Sequence, residues 1–234
     1  NDIGGCVNGA AAPPAKIDMK DYLKWLKLQA QKAVKAGKAK ILLNTEATKE
    51  LLDVEGYDAV IIAVGADPLV PRSIPGITRP NVMWAADAET KFRDKVGKKV
   101  VVVGAGDVGM EAAHDFAEDG REITGLVDMM PKPVFIMSEM PRLLEDLGIQ
   151  IQYSTSICEV TDKGIIAKGP DGKQFEIEAD TVLLAMGMRI NHELVDSLRH
   201  CAPETDCYIV GDAKKVGGNL SAAVNGAFQA ALHI

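Results

Sequence analysis

Between Gly104 and Gly109 the chain reads Gly104-Ala105-Gly106-Asp107-Val108-Gly109, and about 20 residues further on stands Asp128. These residue types at this spacing suit the binding of a dinucleotide. Gly104 permits a tight turn off a strand. Gly106, having no side chain, lets a pyrophosphate approach the backbone, and Gly109 lets a helix pack closely on the strand. A helix beginning near Asp107 would aim its unpaired N–H groups and its positive dipole end at the phosphates. Asp128 is placed to accept both hydroxyls of an adenosine ribose and to repel a 2′-phosphate, which favours NADH over NADPH. Lys132, shortly after it, is the one residue set to weaken that preference. Glu111, in the first turn of the helix, either positions the nicotinamide ribose or simply suits a helix N-terminus with its charge.

The elements that would position these residues can be read from the flanking sequence. Four valines, Val100–Val103, lead into the turn, a helix-like segment follows, and a second apolar run ends on Asp128. This strand–turn–helix–strand–acid order predicts an α/β fold with a Rossmann-type, three-layer nucleotide domain. Upstream, residues 1–14 read as loop, Asp18–Ala36 as a helix capped by Asp18 and stopped by Gly37, Ala39–Leu43 as a short strand and Tyr57–Val64 as a buried strand. Pro68–Pro80 is a proline-rich connector, which suggests a domain crossing. Downstream, Pro141–Leu147 reads as a short helix, and Gln150–Tyr153 and Ser156–Thr161 as strands. Gly164–Lys168 and Gln174–Ile177 suggest a hairpin, Asp180–Met186 a buried strand, Tyr208–Val210 a short strand and Asn219–His233 a closing helix. Two strands end alike, on Ala63-Val64-Gly65 and on Ala185-Met186-Gly187, as two related halves would.

Composition narrows the function classes. The 234 residues are 47% hydrophobic and 25% charged, which is ordinary for a globular protein. A net charge of −7 with no basic stripe argues against nucleic acid or an anionic membrane as partner. No apolar run reaches the length of a membrane span, no secretory signal pattern is present, and the sequence opens on Asn1, as a fragment or processed product would. Four scattered cysteines (Cys6, Cys158, Cys201 and Cys207) suit a reducing cytoplasm and read as ordinary thiols. His114, His192, His200 and His233 have no metal-ligand spacing, and no residue presents itself as catalytic.

Taken together, Ala63-Val64-Gly65, the glycine turn, Asp128, Ala185-Met186-Gly187 and Gly211-Asp212 resemble the flavoprotein reductases with two dinucleotide-binding domains, the pyridine nucleotide-disulfide reductase type. Ile3-Gly4-Gly5, Ala12-Pro13-Pro14-Ala15-Lys16 and Tyr22-Leu23-Lys24-Trp25 resemble more narrowly the C-terminal module of NADH:flavin oxidoreductases such as 2-enoate reductase and 2,4-dienoyl-CoA reductase. The resemblance implies an NAD(P) domain at residues 88–188 inserted into an incomplete FAD domain formed by residues 1–87 and 189–234. It implies that the Gly4-Gly5 backbone passes the flavin dinucleotide, that Glu46 and Ala47 end a strand beside its adenine half, and that Ala63, Val64 and Gly65 form the crossover. Asp212, following Gly211, would bond the ribityl chain, and Ala223 and Val224 would offer N–H groups to a flavin ring carbonyl.

The resemblance implies hydride transfer from NADH to FAD, a chemistry that the cofactors carry while the protein supplies alignment. It also implies an upstream barrel bearing FMN and an iron–sulfur cluster, where an enoate or dienoyl substrate is reduced. The chain departs from the pattern in lacking the earlier glycine motif that holds the ADP half of FAD. The alternative is an isolated dinucleotide-binding module, a fragment or NAD sensor, with no activity of its own.

Overall fold

The computed structural model describes residues 2–14, 16–134, 138–200 and 205–234. Cys201 and Ala15 lie outside them. In chain order the first elements are α1 (Val7–Ala10), α2 (Ile17–Lys35), α3 (Lys49–Glu55), β1 (Ala59–Ile62), β2 (Asp67–Pro68), β3 (Val82–Trp84) and α4 (Ala85–Thr90). The nucleotide region supplies β4 (Lys99–Val103), α5 (Asp107–Glu118), β5 (Glu122–Val127), α6 (Met140–Asp146) and β6 (Ile151–Gln152). Then follow β7 (Ser156–Thr161), β8 (Gly164–Lys168), β9 (Gln174–Glu178), β10 (Thr181–Leu184), β11 (Met188–Arg189), α7 (His192–His200), β12 (Asp206–Ile209) and α8 (Leu220–Leu232). The chain gathers into two units, Val7–Trp25 with Val70–Gly187, and Asn1–Cys6 with Leu26–Leu69 and Met188–Ile234.

The larger unit holds a five-stranded sheet in the order β3-β10-β4-β5-β6, every pair parallel. The valine run of β4 explains its central place. Val100 and Val102 point into a core with Ala112, Ala113 and Phe116 of α5 and Leu144 of α6, while Val101 and Val103 point into a second core with Val160, Ile165 and Ile177 of the meander β7-β8-β9. A strand covered on both faces has no polar side, so it reads as an unbroken apolar run. The three layers are therefore helices, parallel sheet and antiparallel meander, and the expected hairpin is two strands of that meander. The sheet begins upstream of residue 88, because Val82–Trp84 of β3 pair with Val182–Leu184 of β10.

The smaller unit has less to pack. β1 runs parallel to β12, from Ala59 beside Asp206 to Ile62 beside Ile209, and β2 pairs antiparallel with β11. Helix α7 packs on α3 and β1, and α8 packs on the 3-10 turn Gly211–Ala213. Its interior rests on Ile62, Val195, Leu198, Val210, Ala213 and Ala230.

Three local expectations are corrected. Ala39–Leu43 forms no strand, and Ile41, Leu42 and Leu43 are exposed, since among the described residues no neighbouring strand takes up their backbone groups. Asp18 sits inside the first turn of α2 and is not its cap, although Gly37 does stop the helix with a left-handed φ of 67°. The N-terminal loop contains the single-turn helix α1. Among the described residues no helix is long and apolar enough to cross a membrane.

Candidate functional site

Strand order reverses between β4 and β10, and in open parallel sheets the crevice outside the strand ends at such a point is where ligands bind. The loops that follow these two strands are Gly104–Gly109 and Ala185–Gly187. Gly104 takes a left-handed φ of 103°, and its N–H donates to the Val127 carbonyl at 2.8 Å. A Cβ on Gly104 would collide with the Ala185 carbonyl, and one on Gly109 would collide with the Gly104 carbonyl and lie 3.1 Å from the Ala185 Cβ. The two loops and the start of α5 are thus held against each other by missing side chains.

Gly106 differs from its neighbours in the turn. It is the N-cap of α5, with no side chain capping the helix, and no atom lies within 4 Å of where its Cβ would be. The unpaired N–H groups at the start of α5 therefore open onto free space, the arrangement that receives a phosphate. Asp107 and Val108 are exposed beside it and Ala105 is buried beneath.

Asp128 follows β5 at the neighbouring edge of the turn. Its Oδ2 accepts the Ala105 N–H at 2.7 Å, and its Oδ1 accepts the Met130 N–H at 2.7 Å. Each carboxylate oxygen has two acceptor sites, so both retain one for a sugar hydroxyl. Its backbone is fixed as firmly: Asp128 N–H donates to Gln152 at 3.0 Å, Thr155 N–H to Asp128 at 2.8 Å, and Ser154 N–H to Met130 at 2.9 Å. These bonds extend the β5–β6 pairing beyond the strands and bring Tyr153 close, where burial and then the Asp128 charge raise its phenol above the usual range. Sequence reasoning missed this bracing, whose only local sign is the non-glycine left-handed residue Ser154 at φ 53°. Glu111 is half-buried and ion-paired with Lys16 at 2.5 Å, a partner that no spacing rule connects to it.

In the smaller unit the expected residues only partly assemble. Gly211, at φ 60°, turns the chain after β12, and Asp212 and Ala223 join it in lining a cleft of about 730 Å³ with Tyr208, Lys214 and Asn219. Among the described residues the Asp212 carboxylate has no hydrogen-bond or ion-pair partner, so it is available to hydroxyl groups. The Ala223 N–H is not available, because it donates within α8 to the Asn219 carbonyl at 3.1 Å. Helix geometry leaves the donors of Leu220 and Ser221 without intrahelical acceptors instead. Val224 is exposed and lies outside the cleft lining. Gly4 and Gly5 both take left-handed φ values, 121° and 50°, as does Gly65 at 73°. Glu46 and Ala47 lie in exposed coil before α3 and follow no strand. None of Gly4, Gly5, Glu46, Ala47, Ala63, Val64 and Gly65 lines the cleft.

Residues 10–214 match the family model described as pyridine nucleotide-disulphide oxidoreductase. The chain belongs to that family. Its members are NAD(H)- and FAD-dependent oxidoreductases. Among its relatives are an NADH oxidase of Thermoanaerobacter brockii, 31% identical over 99% of the chain and 36% of the relative, and a cinnamate reductase of Clostridium sporogenes, 27% identical over 99% and 34%. A solved 2-naphthoyl-CoA reductase superposes over 100% of the chain and 35% of its own length, with a TM-score of 0.87 and 28% identity. The chain therefore spans about a third of the length of the relatives it matches.

The site tolerates the family's nicotinamide cofactor on its own geometry: an open glycine at an uncapped helix start, and a braced carboxylate with acceptor capacity in reserve. The FAD side offers less, namely the free Asp212 carboxylate and the cleft beside it.

Proposed function

We propose that the chain is the NADH-accepting module of a flavin oxidoreductase, with the nicotinamide-nucleotide domain centred on residues 88–188 and reaching upstream to β3, and the smaller unit contributing to an FAD domain. The observation that carries this reading is the convergence of the α5 start, Gly106 and Asp128 at the crevice between β4 and β10. Gly106 and the first N–H groups of α5 hold the pyrophosphate. Asp128 accepts the adenosine ribose hydroxyls and keeps a 2′-phosphate out. Ala185, Met186 and Gly187 close the second side of the crevice, and Glu111, held by Lys16, orients the nicotinamide ribose. Asp212 accepts from the flavin's ribityl chain.

When bound, the nicotinamide supplies a hydride and the flavin accepts it, so the protein's own task is alignment and exclusion of water. In the parent protein the electrons pass to an FMN- and iron–sulfur-bearing barrel that reduces an enoate- or dienoyl-type substrate, a class to which the cinnamate and 2-naphthoyl-CoA reductases among the relatives lend support.

A second reading, an isolated dinucleotide-binding module without activity, is favoured by one observation: only Gly211, Asp212 and Ala223 of the expected FAD residues line the cleft. Calorimetry and absorbance separate the two. Under the first reading the purified chain binds NADH more tightly than NADPH and takes up FAD with a visible flavin spectrum. A chain that binds NADH but stays colourless in FAD supports the second. Asp128→Ala weakens NADH by about 1–3 kcal/mol, since ribose hydroxyls lose their acceptor; unchanged affinity rejects the role given to Asp128.

A further inference from the structure

Helices α4 and α5 meet over small residues. Ala85 and Ala88 of α4 and Ala112 and Ala113 of α5 are fully buried, in one core with Met110 and with Ala105 of the glycine turn. Into this contact α4 also brings Glu89. It is only 9% exposed, and its Oε1 is buried without any hydrogen-bond partner. An acid without a partner in an Ala-rich interface is unusual, because a buried carboxylate needs a cation or several donors.

The charges facing Glu89 do not meet that need. From α5 come two further carboxylates, Asp115 and Glu111. The two cations nearby are already paired: Arg93 with Asp115 at 2.5 Å and Asp119 at 3.2 Å, and Lys16 with Glu111 at 2.5 Å. On α4 itself Asp87 is paired with Lys91. The 3-10 turn Arg93–Lys95, which also packs on α4, adds Asp94 and Lys95, the latter over the Phe92 ring, while helix α1 and strands β3 and β10 contribute no titratable side chain. Asp115, Asp119 and Glu111 thus hold the two cations, and the fourth carboxylate, Glu89, is left buried with an oxygen that has no partner. Burial, then the charges of Asp115 and Glu111, push the Glu89 carboxyl up to about 8 against the pull of Lys16 and Arg93.

We propose that Glu89 is a proton-operated latch on the nucleotide site: neutral, it lets α4 pack down on α5 beneath the glycine turn, and ionised, it loosens that support. The regulatory part rests on the reading of the turn as the NADH site. The direction follows from linkage. The folded chain holds the proton to about pH 8, whereas the unfolded chain releases it near the ordinary carboxyl value of 4.5. The latch's contribution is therefore complete below the unfolded value. It falls by up to about tenfold in the folding constant per pH unit as pH rises, and levels off above the folded value.

Urea or thermal unfolding of the whole chain between about pH 5 and pH 9 tests this, with wild type against Glu89→Gln, which keeps the shape and removes the titration. The wild type loses stability across the interval, and Glu89→Gln loses measurably less; Glu89→Leu gives the same flattening should the amide pack poorly. Parallel pH profiles for wild type and both variants overturn the latch. NADH affinity, measured by calorimetry at both ends of the interval, falls about fivefold or more further in wild type than in Glu89→Gln. Equal losses of affinity, with the stability difference intact, overturn the link to the nucleotide site. Absence of NADH binding at every pH rejects the nucleotide reading instead, and the unfolding profiles alone then decide whether Glu89 carries the proton.

Discussion

Gly106 and Gly109 stand three residues apart and answer to different demands, so substitution separates folding from binding. Gly106 has an ordinary φ of −73° and open space at its Cβ. Gly106→Val therefore keeps the wild-type melting temperature but loses NADH in calorimetry, because the side chain occupies the approach of the pyrophosphate. Gly109→Ala drives a methyl group into the Gly104 carbonyl and crowds Ala185. It lowers unfolding free energy by about 1–3 kcal/mol in urea titration, with affinity falling as a consequence. At this scale the shape of the turn was legible because Gly104 and Gly109 meet local backbone requirements, a left-handed φ and a close approach. Lys16 and Glu89 were not: an ion pair between residues 16 and 111 leaves no trace in spacing, and an acid in a short alanine-rich helix reads as a solvated face.

Among the elements, those whose burial pattern is written in their own residues were read correctly. The valines of β4 required a strand covered on both faces, and the two short runs of β8 and β9 suggested a hairpin; the structure supplies both. Elements defined by a distant partner were missed or misjudged. β3 is three residues long and exists by pairing with β10, while Ala39–Leu43 has strand composition and no partner among the described residues. The meander β7-β8-β9 is the layer most open to test. Ile165 of β8 is 1% exposed and packs in the core shared with Val101 and Val103. Ile165→Ala costs about 2–5 kcal/mol in urea unfolding, whereas Val134→Ala, at a fully exposed position, changes stability by no more than about 0.5 kcal/mol.

Across the whole molecule the two units differ in how much of themselves they bury. Both named cores belong to the larger unit, while in the smaller one Val224, Phe228 and Leu232 line up on α8 at helical spacing and remain exposed. Native-state hydrogen exchange reads this difference directly. The amides of β4 and β10 exchange with protection near the global unfolding free energy, and those of β1 and β12 exchange faster by sub-global opening. Equal protection in the two sheets contradicts that ordering. The division into two units has a counterpart in the repeated strand endings at Gly65 and Gly187, one in each unit, yet the sequence could not say how completely the smaller unit would bury its interior. That depends on packing partners, and the chain covers about a third of the relatives it matches.

The two main-chain bonds accepted by Asp128 bear on any attempt to re-engineer this protein for a phosphorylated cofactor. On the role proposed for Asp128, removing the carboxylate to admit a 2′-phosphate also unties Ala105 and Met130, which couples selectivity to the rigidity of the turn. A neutral replacement keeps at most one of the two bonds, since the amide of Asp128→Asn has a single acceptor oxygen, so the other N–H needs a new partner before a cation is brought in to greet the phosphate.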